Sequence, residues 1–305
     1  MEQGIEVSNN FQFPMINFQF KLTWLPKKTF EILAIIPWPE IKSKETKAVA
    51  EAGETMEIKG FRKGKAPTVR VAAALGQNKI LKLTLEKIIP EAYQKALSQF
   101  GLQPVLSPKI ELMSSKEKED WQIKFTSCET PEVKLGNYRQ QLKGLKSADS
   151  IWTPDKGNQP PNSTNSKQPE NKDRKMDKIL QWLLDNIKVE ISDLLVETEI
   201  NRKLSALLEQ TQKLGITVEQ YLLSTGKTAE SLRGEYKSQV VKSLSLQFIL
   251  EAIAEEEKIA VNPQDIEKII SEAKNEEERK VMERQKYLLA SLLRQQKTLD
   301  FLANL

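Results

Sequence analysis

The spacing of apolar residues changes along this chain, and that change constrains the fold more than any other feature. Large apolar side chains first stand at every second position: Phe18, Phe20, Leu22 and Trp24. This period is typical of a half-buried β-strand. From about residue 176 onward, apolar residues recur every three or four positions, as on one face of an α-helix. We therefore expect an α+β region followed by an all-helical one.

Residues 1–145 are predicted to form an α+β domain with an antiparallel sheet. Further strands are expected at residues 30–36, 105–113 and 121–125, and helices at 38–52 and 79–99. Strands, then helices, then strands along the chain are typical of this fold class.

Prolines and a glycine divide the helical part of this domain. We expect Pro67 in the first turn of a helix, where its missing N–H costs nothing, and Gly76 at the end of that helix. Pro90 lies inside the helix predicted at 79–99. Because its ring clashes with the preceding turn, we expect Pro90 to kink or split that helix near Ile88.

A polar, proline-containing segment at residues 146–175 separates the halves, and its composition predicts a flexible linker. Residues 176–305 are predicted to be all-helical. Asn262 followed by Pro263 indicates a helix start, and residues 217–220 fit a capping box. The longest apolar stripe repeats every four residues: Leu232, Tyr236, Val240, Leu244, Phe248 and Ala252.

Between Glu57 and Glu86 the chain has no acidic residue and seven basic ones: Lys59, Arg62, Lys63, Lys65, Arg70, Lys79 and Lys82. This acid-free interval contains a short loop with two glycines, three cations and an aromatic residue. Glycines permit positive φ, cations attract phosphate or carboxylate groups, and an aromatic ring adds apolar contact area. We interpret the loop as a docking site for an anionic surface, formed by Gly60, Phe61, Arg62, Lys63, Gly64, Lys65 and Pro67. An ordinary solvated basic turn is the competing interpretation.

The net charge is unevenly distributed. Residues 1–150 hold 23 Lys and Arg against 17 Asp and Glu, a net charge of +6, whereas residues 151–305 carry −2. The asymmetry indicates a nucleic-acid-facing module joined to a part with another task.

Several classes of protein are excluded by composition. The chain has no histidine and one cysteine, Cys128, so Ser-His and Cys-His catalysis, an internal disulfide and paired-cysteine metal sites are ruled out. We interpret the acidic runs 255–257 and 276–278 as solvated helix faces. No catalytic residue, metal or cofactor is therefore expected. The first residues do not resemble a signal peptide, and no apolar run could span a bilayer, so we expect a cytoplasmic protein without a membrane partner.

Residues 60–67 resemble the ribosome-docking signature of the trigger factors, bacterial chaperones of nascent chains. Residues 196–200, 220–228 and 249–259 are similar to the C-terminal domain of that family. The resemblance implies a ribosome-binding α+β domain and an all-helical domain that shields unfolded nascent polypeptides without ATP.

The same resemblance implies roles for particular residues. Phe61, Arg62 and Lys63 are expected to contact a ribosomal protein and ribosomal RNA beside the exit tunnel, and homodimers are expected off the ribosome. In the helical half, exposed apolar residues would bind clients; the candidates are Leu194, Leu207, Tyr221, Leu222, Tyr287, Leu288 and Leu292. Burial in the core is the competing interpretation for each of them.

The chain departs from this family at its centre. Trigger factors typically insert a prolyl isomerase domain of the FKBP type where this chain has about 30 polar residues, fewer than the roughly 50 of a small independent domain. We therefore predict a protein that is not an enzyme. The alternative function is a basic RNA-binding or ribosome-assembly factor with a helical scaffold.

Overall fold

The computed structural model describes residues 18–148, 168–273 and 275–305 of the chain. An antiparallel sheet with helices is followed by a helical region, which confirms the predicted fold class. Within the described residues, no helix is both long and apolar enough to cross a membrane.

The chain divides into two compact units. The first extends to Thr130 and includes the short segment Ser192–Leu195, and the second contains Pro131–Ile191 and Val196–Leu305. In the first unit, the hydroxyl groups of Thr29 and Ser192 form a buried hydrogen bond of 2.8 Å, which holds that segment in place.

A four-stranded antiparallel sheet forms the centre of the first unit. Its strands are β1 (Gln19–Leu25), β2 (Thr29–Ile36), β3 (Lys109–Ser114) and β4 (Trp121–Cys128), in the order β1-β2-β4-β3. Each neighbouring pair is antiparallel. The alternation of apolar residues in the sequence predicted β2. In the structure every second side chain of this strand is fully buried: Phe30, Ile32, Ala34 and Ile36.

Three helices complete the first unit: α1 (Trp38–Thr55), α2 (Thr68–Leu75) and α3 (Gln77–Phe100). Helix α3 buries Ile88 and Ala92 in the same core as the strands β2 and β4. Burying one large aliphatic side chain stabilises a fold by about 1.5–3 kcal/mol, so this contact holds α3 firmly on the sheet.

The structure corrects two expectations about prolines. Pro67 has an extended ψ of 143° and is the N-cap of α2, not a residue of its first turn. Gly76 ends α2 with a φ of 76°, as predicted. Helix α3 runs as one helix through Pro90, so Pro90 does not split it, and a kink there stays a prediction. The burial of Ile88 and Ala92 on either side offsets the roughly 3 kcal/mol that an interior proline costs.

The second unit is built from helices: α4 (Tyr138–Ala148), α5 (Gln168–Asn186), α6 (Asp193–Lys213), α7 (Val218–Thr225), α8 (Ala229–Glu256), α9 (Pro263–Ser271), α10 (Glu276–Arg284) and α11 (Lys286–Asn304). The first residues of α6 belong to the first unit. The core is formed by side chains of α4, α5, α8 and α11, together with Ile187 just after α5: Tyr138, Leu142, Ile179, Leu183, Ile187, Ile249, Leu250, Ile253 and Leu302.

The long helix α8 follows its predicted stripe. Leu232, Val240, Leu244 and Phe248 are buried, whereas Tyr236 and Ala252 are half-buried. The predicted capping box at residues 217–220 begins α7, and Asn262 caps α9 with Pro263 at its first position.

The predicted linker coincides only partly with the described residues. Residues 149–167 lie outside them, and α4 and α5 extend into the two ends of the predicted segment 146–175. Helix α5 begins earlier than the predicted residue 176. Although Tyr138 and Leu142 fall within the predicted first domain, both side chains are buried in the core of the second unit.

Candidate functional site: a basic docking loop and a helical groove

The basic loop of residues 60–67, called the signature loop below, joins α1 to α2. Two short turns shape it: the Phe61 N–H donates to the Ile58 carbonyl oxygen at 3.0 Å, and the Lys65 N–H donates to that of Arg62 at 2.9 Å. These bonds satisfy backbone groups locally, so the loop has a defined backbone without being buried.

The two glycines of the signature loop have different reasons to be glycine. Gly60 has a φ of 91° with open space around it, so only its backbone conformation favours glycine. Gly64 has a φ of 75°, and a Cβ atom there would lie 3.1 Å from the carbonyl oxygen of Glu54. The loop therefore packs closely against the last turn of α1 at Gly64.

The basic residues of the acid-free interval have no acidic partners within the described part of the chain. All seven are exposed, and in the described parts of the chain none of them forms an ion pair. Their positive charge is therefore available to an external anion, since no neighbouring carboxylate neutralises it.

Exposed apolar side chains accompany these charges. Phe61 is 42% exposed, and Val69, on the first turn of α2, is 77% exposed. We did not select Val69 from the sequence. Val71, two residues further along the helix, is buried. Because residues two apart on a helix do not share a face, this spacing could have indicated that Val69 is exposed.

The client-binding candidates of the helical half differ in exposure. Tyr287 is 91% exposed, and Leu288 and Leu292 are about half exposed on the same helix, α11. Tyr221 and Leu222 are half-buried on α7. The structure thus brings together the three candidates of α11, with those of α7 on a separate helix.

Two client-binding candidates require correction. Leu207 is only 8% exposed, so it faces the interior and not the surface. Leu194 is half-buried and belongs to the segment that packs with the first unit, although it was predicted within the helical domain. An apolar stripe alone does not reveal which of its members face solvent.

A groove of about 610 Å³ lies between α8 and α11 beside Tyr287. Buried Leu250 and Ala254 and half-buried Leu246 line it from α8. The Arg294 guanidinium donates from Nε to the Ile259 carbonyl oxygen at 3.1 Å and fixes the loop after α8. We did not predict this groove, because it depends on how two helices pack.

One acidic residue predicted to be solvated has a structural role. The carboxylate of Glu257 accepts hydrogen bonds from the Tyr138 hydroxyl and the Arg139 guanidinium, and its side chain is buried. Burial raises the pKa of Tyr138, which therefore donates as a neutral phenol. Among the described residues, no cluster of acidic or sulfur ligands could hold a metal ion.

Two family models match this chain. One, described as bacterial trigger factor protein, matches residues 18–148; the other, for the trigger factor C-terminus, matches residues 161–304. The chain belongs to the trigger factor family. The two matched ranges adjoin within the chain, since only residues 149–160 lie between them.

Curated trigger factors align with about a third of this chain. The protein of Enterococcus faecalis is 35% identical over 94 residues, which cover 31% of this chain and 22% of that protein. The trigger factor of Carboxydothermus hydrogenoformans is 33% identical over 114 residues, covering 37% and 27%. The alignments thus span about a quarter of the length of these relatives.

A solved trigger factor chaperone has the same fold. That structure comes from work on promiscuous substrate recognition in the folding and assembly activities of that chaperone. It covers 94% of this chain and 99% of its own, with a TM-score of 0.64 and 15% sequence identity. At this identity the likeness establishes the fold.

Proposed function

We propose that this trigger factor homologue is a ribosome-associated, ATP-independent chaperone of the cytoplasm. The signature loop docks on a ribosomal protein and ribosomal RNA beside the exit tunnel, and the helical unit shields emerging polypeptides. The observation that carries the proposal is a set of exposed cations around Phe61, on a loop with the family's signature, that form no ion pair with any residue the structure describes.

The chemistry of this surface supports docking. Arg62, Lys63 and Lys65 attract phosphate groups or carboxylates, and each contact releases bound counterions. Phe61 adds apolar contact area, which a purely electrostatic surface would not provide. The loop therefore fits a partner that has both anionic and apolar parts.

Client shielding follows from the apolar surface of the second unit. Tyr287 stands at the groove between α8 and α11, and Leu288 and Leu292 extend the apolar area along α11. Polar residues such as Gln247 and Gln295 also line this groove. Exposed apolar area with polar surroundings favours weak, reversible binding of unfolded segments.

We also propose that this chain has no prolyl isomerase activity. The two matched family ranges leave residues 149–160 between them, which is too few for a catalytic domain. A protease-coupled prolyl isomerisation assay is expected to give the uncatalysed rate. Acceleration proportional to protein concentration would refute this part of the proposal.

Co-sedimentation with ribosomes tests the docking proposal. The wild type is expected to pellet with ribosomes, and the triple variant Phe61→Ala, Arg62→Ala, Lys63→Ala is expected to stay in solution. A matched control removes two lysines and one exposed valine from α8: Lys237→Ala, Val241→Ala and Lys242→Ala. The control is expected to pellet like the wild type. Equal pelleting of both triple variants would indicate diffuse electrostatic binding.

A basic RNA-binding or ribosome-assembly factor is the second candidate, favoured by the seven cations that lack an ion pair in residues 18–148, 168–273 and 275–305. Aggregation of a denatured client, followed by light scattering without ribosomes, separates the two functions. A chaperone suppresses the scattering at stoichiometric amounts, whereas an RNA-binding scaffold leaves it unchanged.

Sedimentation of the free protein in the same buffer tests the homodimer that the family resemblance implies.

A further inference from the structure

Helix α2, which follows the signature loop directly, has one anchor. Val71 is its only buried residue, and Val69, Arg70 and Ala73 are exposed. Because α2 begins immediately after Pro67, the position of Val71 also determines where the signature loop ends. A small displacement of this anchor moves the docking surface.

The anchor fits a notch in α1. Gly53 is buried near the end of α1, and a Cβ atom there would lie 3.0 Å from Cγ2 and 3.5 Å from Cγ1 of Val71. Valine has one strongly preferred χ1 rotamer in a helix, so Val71 cannot turn away. A side chain at Gly53 would be too close for an ordinary van der Waals contact, so Val71 would have to move by a few tenths of an ångström.

The next residue of α1 supports the loop itself. The carbonyl oxygen of Glu54 is the group that a Cβ atom at Gly64 would meet at 3.1 Å. Two consecutive residues of α1 thus determine how closely other segments approach this helix: Gly53 determines the position of α2, and Glu54 that of the loop. We propose that Gly53 and Val71 are positioning residues of the docking site, an inference that rests on the proposed function.

The substitution Gly53→Ala separates positioning from stability. Alanine is the better helix former, so the substitution favours α1 itself. Its Cβ atom nevertheless pushes Val71, and with it α2 and the loop, away from α1. A residue of merely structural importance would change docking and stability in the same direction, whereas here ribosome docking weakens without a matching loss of thermal stability.

The test is a double-mutant cycle on the full chain, measured by ribosome co-sedimentation and thermal unfolding. Gly53→Ala and Val71→Ala are each expected to weaken docking roughly tenfold, the first by a clash and the second by loss of the anchor. In the double variant the clash and the empty space cancel, so docking is expected within about twofold of the wild type. Rescue of this kind supports positioning.

Gly234→Ala is the matched control, because Gly234 lies inside α8 with nothing within 4 Å of an added Cβ atom. It is expected to leave docking unchanged. Docking of Gly53→Ala equal to that of the wild type overturns the inference, as does failure of the double variant to recover. If Gly53→Ala does not fold, the comparison of Val71→Ala with the double variant still decides, since only positioning predicts the stronger docking of the latter. A wild type that does not pellet refutes the proposed function instead.

Discussion

Two groups of lysines in the first unit have the same chemistry and different surroundings. Lysines of the acid-free interval, such as Lys63 and Lys82, have no acidic partner among the described residues. Lysines between α1 and α3 are paired: both Lys44 and Lys95 bind Glu91, and Lys87 binds Glu51 at 2.5 Å. The pairs of Lys44 and Lys87 join the two helices, and that of Lys95 lies within α3. The lysines without such a partner keep their charge for an external one.

This difference shows how one small domain separates stability from binding. A carboxylate within hydrogen-bond distance neutralises the positive charge of a lysine locally. Such an exposed pair stabilises the folded protein by up to about 1 kcal/mol. Without that carboxylate the lysine adds little to the free energy of folding. It still attracts anions over a distance comparable to the Debye length, about 8–10 Å. The two groups should therefore respond to different experiments.

The largest expected effect is that of salt on docking. If three loop cations contact phosphates, the affinity for ribosomes falls roughly fortyfold between about 50 and 200 mM salt, with a slope of about −0.9 per contact. Thermal unfolding of the protein should change little over the same range. Co-sedimentation at several salt concentrations measures the slope, and a flat dependence would contradict electrostatic docking.

A second expectation concerns the two loop glycines. Gly64→Ala forces a side chain into a positive φ, which costs about 1–2 kcal/mol, and also into contact with the Glu54 carbonyl oxygen. Gly60→Ala meets only the first of these costs, because the space around Gly60 is open. We expect Gly64→Ala to have the lower unfolding temperature and the weaker docking. The reverse order would show that the close packing of Gly64 against α1 is unimportant.

A third expectation concerns Glu91 of α3, which binds Lys44 of α1 and also Lys95, one turn further along α3. The hydrogen bond from Lys44, and then that from Lys95, lowers the pKa of Glu91 from its ordinary value of 4.5. A lowered folded-state pKa gives stability that is present above the ordinary value and is lost as the pH falls through the lowered one. Glu91→Gln should remove about 0.5–1 kcal/mol at pH 7 and have little effect at the acid end of this window.

Urea unfolding at pH 7 and below pH 4.5 measures this loss, and ribosome co-sedimentation of Glu91→Gln at pH 7 provides the contrast. Docking should be unchanged, because Glu91 is outside the acid-free interval. A docking defect without a stability defect would mean that paired and unpaired lysines are not separate groups.

The smallest effects are expected from two neighbouring lysines of α3. Lys82 is exposed and has no ion-pair partner in the parts of the chain that the structure describes, whereas Lys87 binds Glu51. Lys82→Gln should weaken docking about twofold to threefold with unchanged stability, as the loss of one peripheral charge predicts. Lys87→Gln should lower stability by about 0.2–1 kcal/mol with unchanged docking. Equal behaviour of the two variants in both assays would remove the distinction.

The sequence predicted those parts of the fold in which one face is buried. Phe30 and Ile32 of β2 alternate with partly exposed residues because the pleat sends successive side chains to opposite faces. The signature loop was also predictable, since its glycines, cations and aromatic residue are contiguous. The positive φ of Gly60 and Gly64 agrees with that interpretation, while docking itself stays a prediction.

Contacts between distant segments could not be predicted in this way. The notch at Gly53, the groove between α8 and α11 and the burial of Leu207 all depend on which helix packs on which, and helical periodicity does not encode that choice. Tyr138 illustrates the same limit: it falls within the predicted first domain, residues 1–145, yet its ring is buried among helices of the second unit.

Helix α8 spans 28 residues, about 42 Å at 1.5 Å per residue, and its two ends are held by different means. Ile249 and Ile253 are embedded in the core of the second unit, whereas Tyr236 and Arg233 meet α6 through Lys203 and Glu197, in contacts close to water. Amide hydrogen exchange should therefore be slow at the embedded end and faster toward residue 229. Exposed positions near residue 229 can therefore change without disturbing the embedded end that keeps the helical unit folded.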